Sequence, residues 1–272
     1  MIYLLAILMV LIVLYILSLR GRTGHPGMAP LRGWVYAHRG LYGGAVPENS
    51  MAAFHQALEA GYGVELDVHL LKDGNLAVLH DSSLRRATGA DGRIEDLTTE
   101  QLSQYHLFGT EQTIPQFRQV LALFAGQVPM IIELKPDGNV EALCQAVCQE
   151  LDGYSGVYCL ESFDPRCVAW LRRNRPDLVR GQLSENFLAD ANSPLPFLLK
   201  LGMTLLVTNF VTRPDFIAYR FPDRRQIGNR ICRRLWKIPG VSWTLKDQAQ
   251  FDAAVAEGNL PIFEGFLPEK PS

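Results

Sequence analysis

The stretch VELDVHLLKDGNLAVLHD has the apolar pattern of two strands, but acidic and imidazole side chains interrupt it. Glu65 and Asp67 are two positions apart, which places both carboxylates on one face of a strand, where they can converge on a single cation. The central Asp-Gly pair predicts a two-residue hairpin turn, and this turn brings His80 beside Asp67. His69 has the same parity but lies nearer the tip of the hairpin. We therefore predict a metal site with an adjacent histidine.

Similar groups stand at the ends of two other apolar runs. His38 and Arg39 close the run that contains YAH, and Glu133 and Lys135 are again two positions apart at the end of MIIEL. In a (β/α)8 barrel, the carboxyl ends of all strands meet at one mouth. In such a fold, His38, Glu133 and the acidic pair of the hairpin gather at one place.

The chemistry of this set matches phosphodiester cleavage. Three carboxylates without thiols form a hard oxygen site, which suits Mg²⁺ or Ca²⁺ rather than zinc. Together with Arg39 and Lys135, a divalent cation can stabilise charge on the nonbridging phosphate oxygens, while one histidine accepts a proton and the other donates one. Each motif alone could be a structural ion pair, but buried carboxylates and histidines gathered at strand ends favour a catalytic role.

Strand-like and helix-like patterns alternate from Trp34 onward, and they predict the elements that position these residues. Eight strands favour an α/β fold with a closed (β/α)8 TIM-type barrel over an open doubly wound sheet. No GxGxxG follows a strand, so a dinucleotide-binding fold lacks its main support. The residues from about 81 to 115 predict an insertion at the barrel rim. The predicted strands are 34–38, 62–68, 130–134, 156–161, 178–183, 203–208, 240–243 and 261–265.

The composition excludes several classes of function. The chain has 272 residues, a formal net charge of −2 and no stripe of basic and aromatic residues, so no nucleic-acid partner is expected. The basic segment RQIGNRICRRLWK is more typical of a solvated or membrane-facing helix. Five cysteines without a CxxC pair indicate neither a disulfide framework nor a zinc site, and they fit a reducing compartment. The sequence indicates no organic cofactor and no obligate protein partner.

The first nineteen residues, MIYLLAILMVLIVLYILSL, contain no charged side chain and predict an uncleaved transmembrane helix. Arg20, Arg22 and Arg32 follow it, and this positive flank predicts a cytoplasmic position for the rest of the chain. We therefore expect a single-pass protein of the cell membrane with a cytoplasmic catalytic domain. The predicted divisions are an anchor at 1–19, a linker at 20–33, a barrel domain at 34–266 and a tail at 267–272.

From Trp34 to Lys246 the chain resembles the glycerophosphodiester phosphodiesterase family. The resemblance rests on YAHRG followed by PENS, on VELDVHLLKDGNLAVLHDSSLRRATG, and on IIELKP, ESFD and SWTLK in this order. It implies a phospholipase-C-like phosphodiesterase barrel that binds a divalent metal, Mg²⁺ or Ca²⁺. It further implies metal ligation by Glu65, Asp67 and Glu133, catalysis by His38 and His80, phosphate contacts from Arg39 and Lys135, and support of the first loop by Glu48 and Asn49.

The resemblance also implies a reaction, the metal-dependent hydrolysis of glycerophosphodiesters to sn-glycerol 3-phosphate and an alcohol. In the family mechanism, the 2-hydroxyl of the glycerol attacks phosphorus, the alcohol leaves, and water opens the cyclic phosphate. His38 is then the base and His80 the acid, although the sequence leaves these two roles interchangeable.

Two alternatives stay open at this point. A lysophospholipase D acting on membrane lysophospholipids is favoured if Leu107, Phe108 and Phe117 line an apolar groove. A non-catalytic, membrane-tethered barrel is the other. The chain ends in LPIFEGFLPEK where the family has an Asp-x-Pro-like turn, so the substrate contacts of this loop stay undefined. Trp243 fits a wall of the substrate pocket and the apolar core about equally well.

Overall fold

The computed structural model describes residues 1–189 and 195–269. The strands are β1 Tyr36–His38, β2 Gly63–Leu70, β3 Leu76–Val78, β4 Met130–Leu134, β5 Tyr158–Ser162, β6 Arg180–Ser184, β7 Phe216–Arg220, β8 Gly240–Leu245 and β9 Asn259–Phe263. The α-helices are α1 Ile2–Ser18, α2 Met51–Glu59, α3 Arg85–Thr88, α4 Phe117–Phe124, α5 Val140–Leu151, α6 Pro165–Asn174, α7 Phe197–Thr204, α8 Asn209–Thr212, α9 Ile227–Arg234 and α10 Gln248–Ala256.

Eight of these strands form a closed parallel barrel. Their order around the ring is β1, β9, β8, β7, β6, β5, β4 and β2, and pairing of β1 with β2 closes it. The short strand β3 pairs antiparallel with β2 and is not part of the ring. The expected (β/α)8 TIM-type barrel is confirmed, and the carboxyl ends of its strands lie at one mouth.

Alternation along β2 separates the apolar core from the site. Val64 and Leu66 are fully buried in one apolar cluster with Phe54 of α2. The intervening Glu65 and Asp67 are also buried, but they lie on the opposite face of the strand. The same strand therefore anchors the surrounding helices and carries two acidic groups of the site.

The hairpin between β2 and β3 has a three-residue loop, so the predicted two-residue turn is wrong. Leu71 N donates to Asn75 O at 2.8 Å, and Gly74 has a φ of 85°, which glycine adopts without strain. Asp73 is not left-handed, as a two-residue type I′ turn would require, so Gly74 ends a three-residue connection. The register moves by one position, because Leu79 N, and not the following residue, pairs with Asp67 O at 3.2 Å.

The strand predicted at 203–208 is also wrong. This segment contains the end of α7 and the turn before α8, and the barrel strand β7 follows at Phe216–Arg220. Leu206 N donates to Met203 O at 3.1 Å, and both side chains are buried from a helical turn. A short apolar run does not by itself distinguish a strand from a buried helical segment.

The predicted transmembrane anchor is wrong. α1 has 17 residues, from Ile2 to Ser18. No helix within residues 1–189 and 195–269 is both long enough and apolar enough to cross a membrane. The expected single-pass membrane location and the membrane contact through this helix are therefore corrected.

Segments on both sides of the barrel core pack against it. Trp236 Nε1 donates to Ile16 O at 2.9 Å, which fixes the end of α1, and Leu31 is fully buried under the amino-terminal strand ends. At the opposite end, the residues from about 81 to 115 contain α3 and an apolar cluster of their own that includes Leu84 and Ile94. The proposed domain boundaries stay a prediction, and the predicted tail lies outside the described residues from position 270 onward.

Candidate active site

A cavity of about 510 Å³ opens at the carboxyl ends of the barrel strands. Among its lining residues are six that the sequence predicted, His38, Arg39, Glu65, His80, Glu133 and Trp243. The other three predicted residues contact this set, since Glu48 and Asp67 lie beside Arg39, and Lys135 lies beside Glu133. The fold therefore brings all nine side chains to one place.

Three acidic side chains form a compact cluster in this cavity. Glu65, Asp67 and Glu133 are all buried, and one carboxylate oxygen of each lies within 4.8 Å of the others. The parallel register of β2 and β4 sets this proximity, because Asp67 is directly opposite Glu133. Lys135 Nζ lies 3.1 Å from Asp67 Oδ1 and 2.8 Å from Glu133 Oε1.

The acidic cluster holds more negative charge than its neighbours offset. Burial, together with repulsion from Asp67 and Glu133, raises the pKa of Glu65 well above its usual value. Burial also raises the pKa of Glu133 to about 7, although Lys135 opposes this shift. Burial acts in the same direction on Asp67, but nearby cations, Lys135 first, hold its pKa well below the usual range. The three residues fit a divalent cation, because such an ion relieves repulsion among oxygen ligands of the type that Mg²⁺ and Ca²⁺ prefer.

A carboxylate that follows the last strand holds His38. His38 Nδ1 lies 2.6 Å from Glu264 Oε2, while its Nε2 lies 3.8 Å from Glu65 Oε2. Tyr42 OH donates to the same Glu264 oxygen at 2.8 Å, and Lys246 Nζ lies 3.2 Å from the other oxygen. Glu264 is therefore fixed by three partners, one of which is the imidazole.

The protonation of this pair follows from its surroundings. The hydrogen bond with His38 is the main influence that lowers the pKa of Glu264 to about 2, so the carboxylate is ionised at neutral pH. Burial lowers the pKa of His38, although the bond to Glu264 opposes this shift. A neutral imidazole beside an ionised carboxylate carries its hydrogen on the nitrogen that faces the carboxylate, so Nε2 of His38 is free to accept a proton.

His80 is held by a second carboxylate, which belongs to the next residue. Its Nδ1 lies 2.5 Å from Asp81 Oδ1. Arg86 of α3 donates to Asp81 and also to Glu48 Oε1 at 2.7 Å, and Glu48 accepts a further hydrogen bond from Arg39 NH1 at 2.8 Å. Burial and the nearby cations lower the pKa of His80 to about 4. The loop that carries His38 and the loop that carries His80 are thus connected through Arg86 and Glu48.

The loop after β1 has left-handed backbone at two residues that are not glycine. The φ angles are 55° at Arg39 and 52° at Asn49, a conformation whose strain the surrounding contacts must offset. Arg39 N donates to Glu65 Oε2 at 3.1 Å, and Asn49 Nδ2 donates to Asp67 Oδ2 at 2.8 Å. The acidic cluster and this loop therefore hold each other in position.

Three acidic residues of the site were missed in the sequence, namely Asp81, Glu161 and Glu264. Glu161 lines the cavity with 1% of its surface exposed, and its Oε2 has no hydrogen-bond partner among the described residues. It lies opposite Glu133 on the neighbouring strand. The signal that identified Glu133, an acid at the end of an apolar strand, also applies to Glu161 and to Glu264.

The aromatic and apolar predictions had different outcomes. Trp243 lies in the cavity wall, edge to face with Phe163 at 5.5 Å between the ring centroids. Leu107 and Phe117 are fully buried in the core, and Phe108 lies over the guanidinium of Arg86. These three apolar residues therefore do not form the groove that was expected to favour a lysolipid.

One protein-family model and several curated proteins match parts of this chain. The model of the glycerophosphoryl diester phosphodiesterase family matches residues 38–216. A glycerophosphodiester phosphodiesterase from Bacillus altitudinis is 43% identical over 113 residues, which cover 39% of this chain and 46% of that protein. One from Caldanaerobacter subterraneus is 39% identical over 162 residues, covering 55% and 65%. A lysophospholipase D from Homo sapiens is 35% identical over 184 residues, covering 63% and 52%. The chain thus spans about half to two thirds of the length of these relatives.

Solved structures share the barrel. An Oleispira antarctica phosphodiesterase in complex with the product sn-glycerol-3-phosphate has a TM-score of 0.70 at 22% identity, covering 89% of this chain and 95% of that one. A glycerophosphodiester phosphodiesterase from Thermotoga maritima has a TM-score of 0.63 at 25% identity, covering 85% and 93%. At 22% identity, the similarity to the Oleispira antarctica protein shows the shared fold alone.

Proposed function

Because the chain belongs to the glycerophosphoryl diester phosphodiesterase family, we propose that it hydrolyses glycerophosphodiesters to sn-glycerol 3-phosphate and an alcohol. The main support for this activity is that two histidines and three buried carboxylates lie in or beside one cavity. The activity is a proposal for this chain, because the chain matches only 46% and 65% of the length of two relatives that are named glycerophosphodiester phosphodiesterases.

His38 is the base in the proposed reaction. Its Nδ1 hydrogen is engaged by Glu264, which leaves Nε2 on the side of Glu65 free to take the proton of the glycerol 2-hydroxyl. As that proton leaves, the hydroxyl oxygen bonds to phosphorus and the bond from phosphorus to the departing alcohol breaks. A cyclic phosphate and a free alcohol result.

His80 is the acid that protonates the departing alcohol. In the free protein its pKa is about 4, lowered by burial and then by Lys135 and Arg39. A bound phosphate anion offsets the charge of these two cations, which favours the protonated imidazole. In the second half of the reaction, His80 takes a proton from water, whose oxygen bonds to phosphorus, and His38 returns a proton to the glycerol oxygen.

The cationic side chains of the site bind the phosphate in this proposal. Lys135 and Arg39 contact its oxygens, and Glu48 with Asn49 keeps Arg39 and its loop in position. Trp243, with Phe163 behind it, forms an apolar wall beside the substrate. The wall limits access of water, which strengthens the electrostatic contacts around the phosphate.

Glu65, Asp67 and Glu133 would hold a divalent metal, Mg²⁺ or Ca²⁺. When bound, such an ion supplies Lewis-acid stabilisation of the charge that builds up on the phosphate oxygens. The support for this assignment is the 4.8 Å spacing of the three carboxylates and the raised pKa values of Glu65 and Glu133. The chemistry of the donor set agrees with both ions, so the choice between them is left to experiment.

A substrate panel tests the proposed function. The full chain is incubated with glycerophosphocholine, glycerophosphoethanolamine or lysophosphatidylcholine, in Mg²⁺, in Ca²⁺ or with a chelator, and release of choline or ethanolamine is measured. We expect turnover of a glycerophosphodiester that requires the ion and is lost in His38→Ala. Absence of turnover with every substrate, or turnover of lysophosphatidylcholine alone, contradicts the proposal.

A further inference from the structure

A second cavity, of about 670 Å³, lies along α9 and shares no lining residue with the catalytic cavity. We call it the arginine groove, and define it by Arg224, Arg225, Arg230, Arg233, Arg234 and Glu257. Five arginines face a single carboxylate, although cations on a solvated helix normally alternate with acids. The basic segment 225–237, which the sequence predicted to be a solvated or membrane-facing helix, thus contributes four arginines to a concave surface.

Most of the positive charge in the arginine groove is not offset by the protein. Arg224 Nε donates to Glu257 Oε1 at 3.1 Å, and Arg233 donates to backbone oxygens, including Ile238 O at 2.5 Å. Within the part of the chain that the structure describes, the side chains of Arg225, Arg230 and Arg234 make no hydrogen bond or salt bridge. These three guanidinium groups are therefore available to an anion that enters the groove.

A buried amide oxygen in the same lining lacks a hydrogen-bond donor. Asn229, with 7% of its surface exposed, donates from Nδ2 to Arg224 O at 2.9 Å. A carbonyl oxygen only accepts hydrogen bonds, which fixes the orientation of this amide. The remaining Oδ1 of Asn229 is buried without a partner in the described part of the chain. A ligand that satisfies it must donate, as a hydroxyl group does.

From these observations, we propose that the arginine groove binds a small, soluble organic phosphate that carries hydroxyl groups. The phosphate matches the planar donor fork of arginine, and a hydroxyl group matches the amide oxygen of Asn229. The lining contains no aromatic side chain on which a nucleobase could stack and no apolar side chain for an acyl chain. These features favour a small polar ligand over a nucleic acid or a lipid.

Calorimetric titration of the full chain with glycerol 2-phosphate and with inorganic phosphate, in the presence of a chelator, tests the proposal. We expect saturable binding that weakens at least ten-fold in the double variant Arg230→Gln/Arg234→Gln. The matched control, Lys72→Gln/Arg173→Gln, removes the same charge from exposed positions on other elements and keeps the wild-type affinity within about two-fold. In Asn229→Ala, we expect the preference for glycerol 2-phosphate over inorganic phosphate to disappear.

The comparison between the groove variant and the wild type isolates binding in the groove, because the varied arginines lie outside the catalytic cavity and leave its proposed phosphate contacts unchanged. Circular dichroism checks that each variant is folded, and the side chains of Arg230 and Arg234 make no hydrogen bond or salt bridge within the described chain whose loss could unfold it. Equal affinity in the groove variant and the wild type overturns the proposal, and so does the absence of saturable binding. Binding only to vesicles of anionic phospholipid also overturns it, since the ligand would then be a lipid.

Discussion

His38 Nδ1 lies 2.6 Å from Glu264 Oε2, so the residue that follows the last strand of the barrel fixes the imidazole at the end of the first strand. β1 and β9 are neighbours in the ring, which makes this contact possible across more than 200 residues of sequence. A carboxylate accepts hydrogen bonds only, and it therefore selects one tautomer of the ring. The orientation of the proposed base follows from the closure of the barrel.

We expect Glu264→Gln to lower kcat about 10- to 100-fold and to leave KM within about three-fold, because the variant loses control of the His38 tautomer but keeps the phosphate contacts. Steady-state kinetics measures both constants, and ¹⁵N NMR of the histidine ring reports the tautomer. Glu111→Gln, an exposed glutamate, serves as the control. An unchanged kcat, or a wild-type tautomer in Glu264→Gln, contradicts the assigned role.

Glu133→Gln removes one of the three carboxylates with little change in shape. We expect the affinity for Mg²⁺ or Ca²⁺, whichever supports turnover, to fall about 10- to 100-fold, since a neutral amide is a poorer partner for a divalent cation. Calorimetric titration of the ion measures this directly and does not need substrate. Glu141→Gln, on the exposed surface of α5, is the control. Equal ion affinity in Glu133→Gln and the wild type contradicts a metal site at this cluster.

Arg86 lies between Asp81 and Glu48, and through them it connects the loop of His80 with the loop of His38. We expect Arg86→Gln to lower kcat roughly ten-fold, because Asp81 then loses the partner that orients it toward His80. The neighbouring Arg85 pairs with Asp91 at the surface, so Arg85→Gln is a matched control that keeps wild-type kinetics. Equal effects of the two substitutions are inconsistent with a specific role of Arg86.

Asp73 stabilises the β2–β3 loop in a pH-dependent way. Burial raises its pKa, but the hydrogen bonds from Thr99 and Asn75 together outweigh this effect and lower the pKa to about 2. A carboxyl whose pKa falls on folding stabilises the protein above its unfolded value of about 4, and this contribution is lost as the pH falls toward the folded value. We expect Asp73→Ala to lower the free energy of unfolding by about 1 kcal/mol at pH 7.

Urea denaturation at pH 7, 5 and 3 measures this effect. The difference between Asp73→Ala and the wild type should shrink between pH 5 and pH 3. Lys72→Ala changes the adjacent exposed residue, and its effect should not vary with pH in the same way. A constant difference for Asp73→Ala across the three pH values contradicts the assignment.

The sequence predicts the parts of the site that depend on alternation within one strand or on the common mouth of a barrel. Glu65 and Asp67 share a face for the first reason, and Glu133 joins them for the second. The hairpin register was wrong by one residue because an Asp-Gly pair occurs both in two-residue and in three-residue loops. The pattern could not separate these loops, because the glycine is left-handed in both and they differ in the backbone conformation of Asp73.

Other features depend on tertiary contacts that a linear pattern does not contain. The run at 203–208 is as apolar as a strand, and only packing of Met203 and Leu206 from a helical turn decides its structure. The hydropathy of the first nineteen residues predicted a span, whereas the helix that forms ends at Ser18 with its last turn held by the barrel. The role of Glu264 depends on which strand closes the ring beside β1.

Lys135 has a consequence for the biogenesis of the protein. Its ammonium group lies within 3.1 Å of Asp67 and 2.8 Å of Glu133, so the acidic cluster contains a counterion that belongs to the chain itself. Three carboxylates crowded together without any cation are costly in a protein interior. With this built-in counterion, we expect a newly made chain to reach its native state before it meets any metal, so that removal of metal stops the proposed turnover without unfolding the protein.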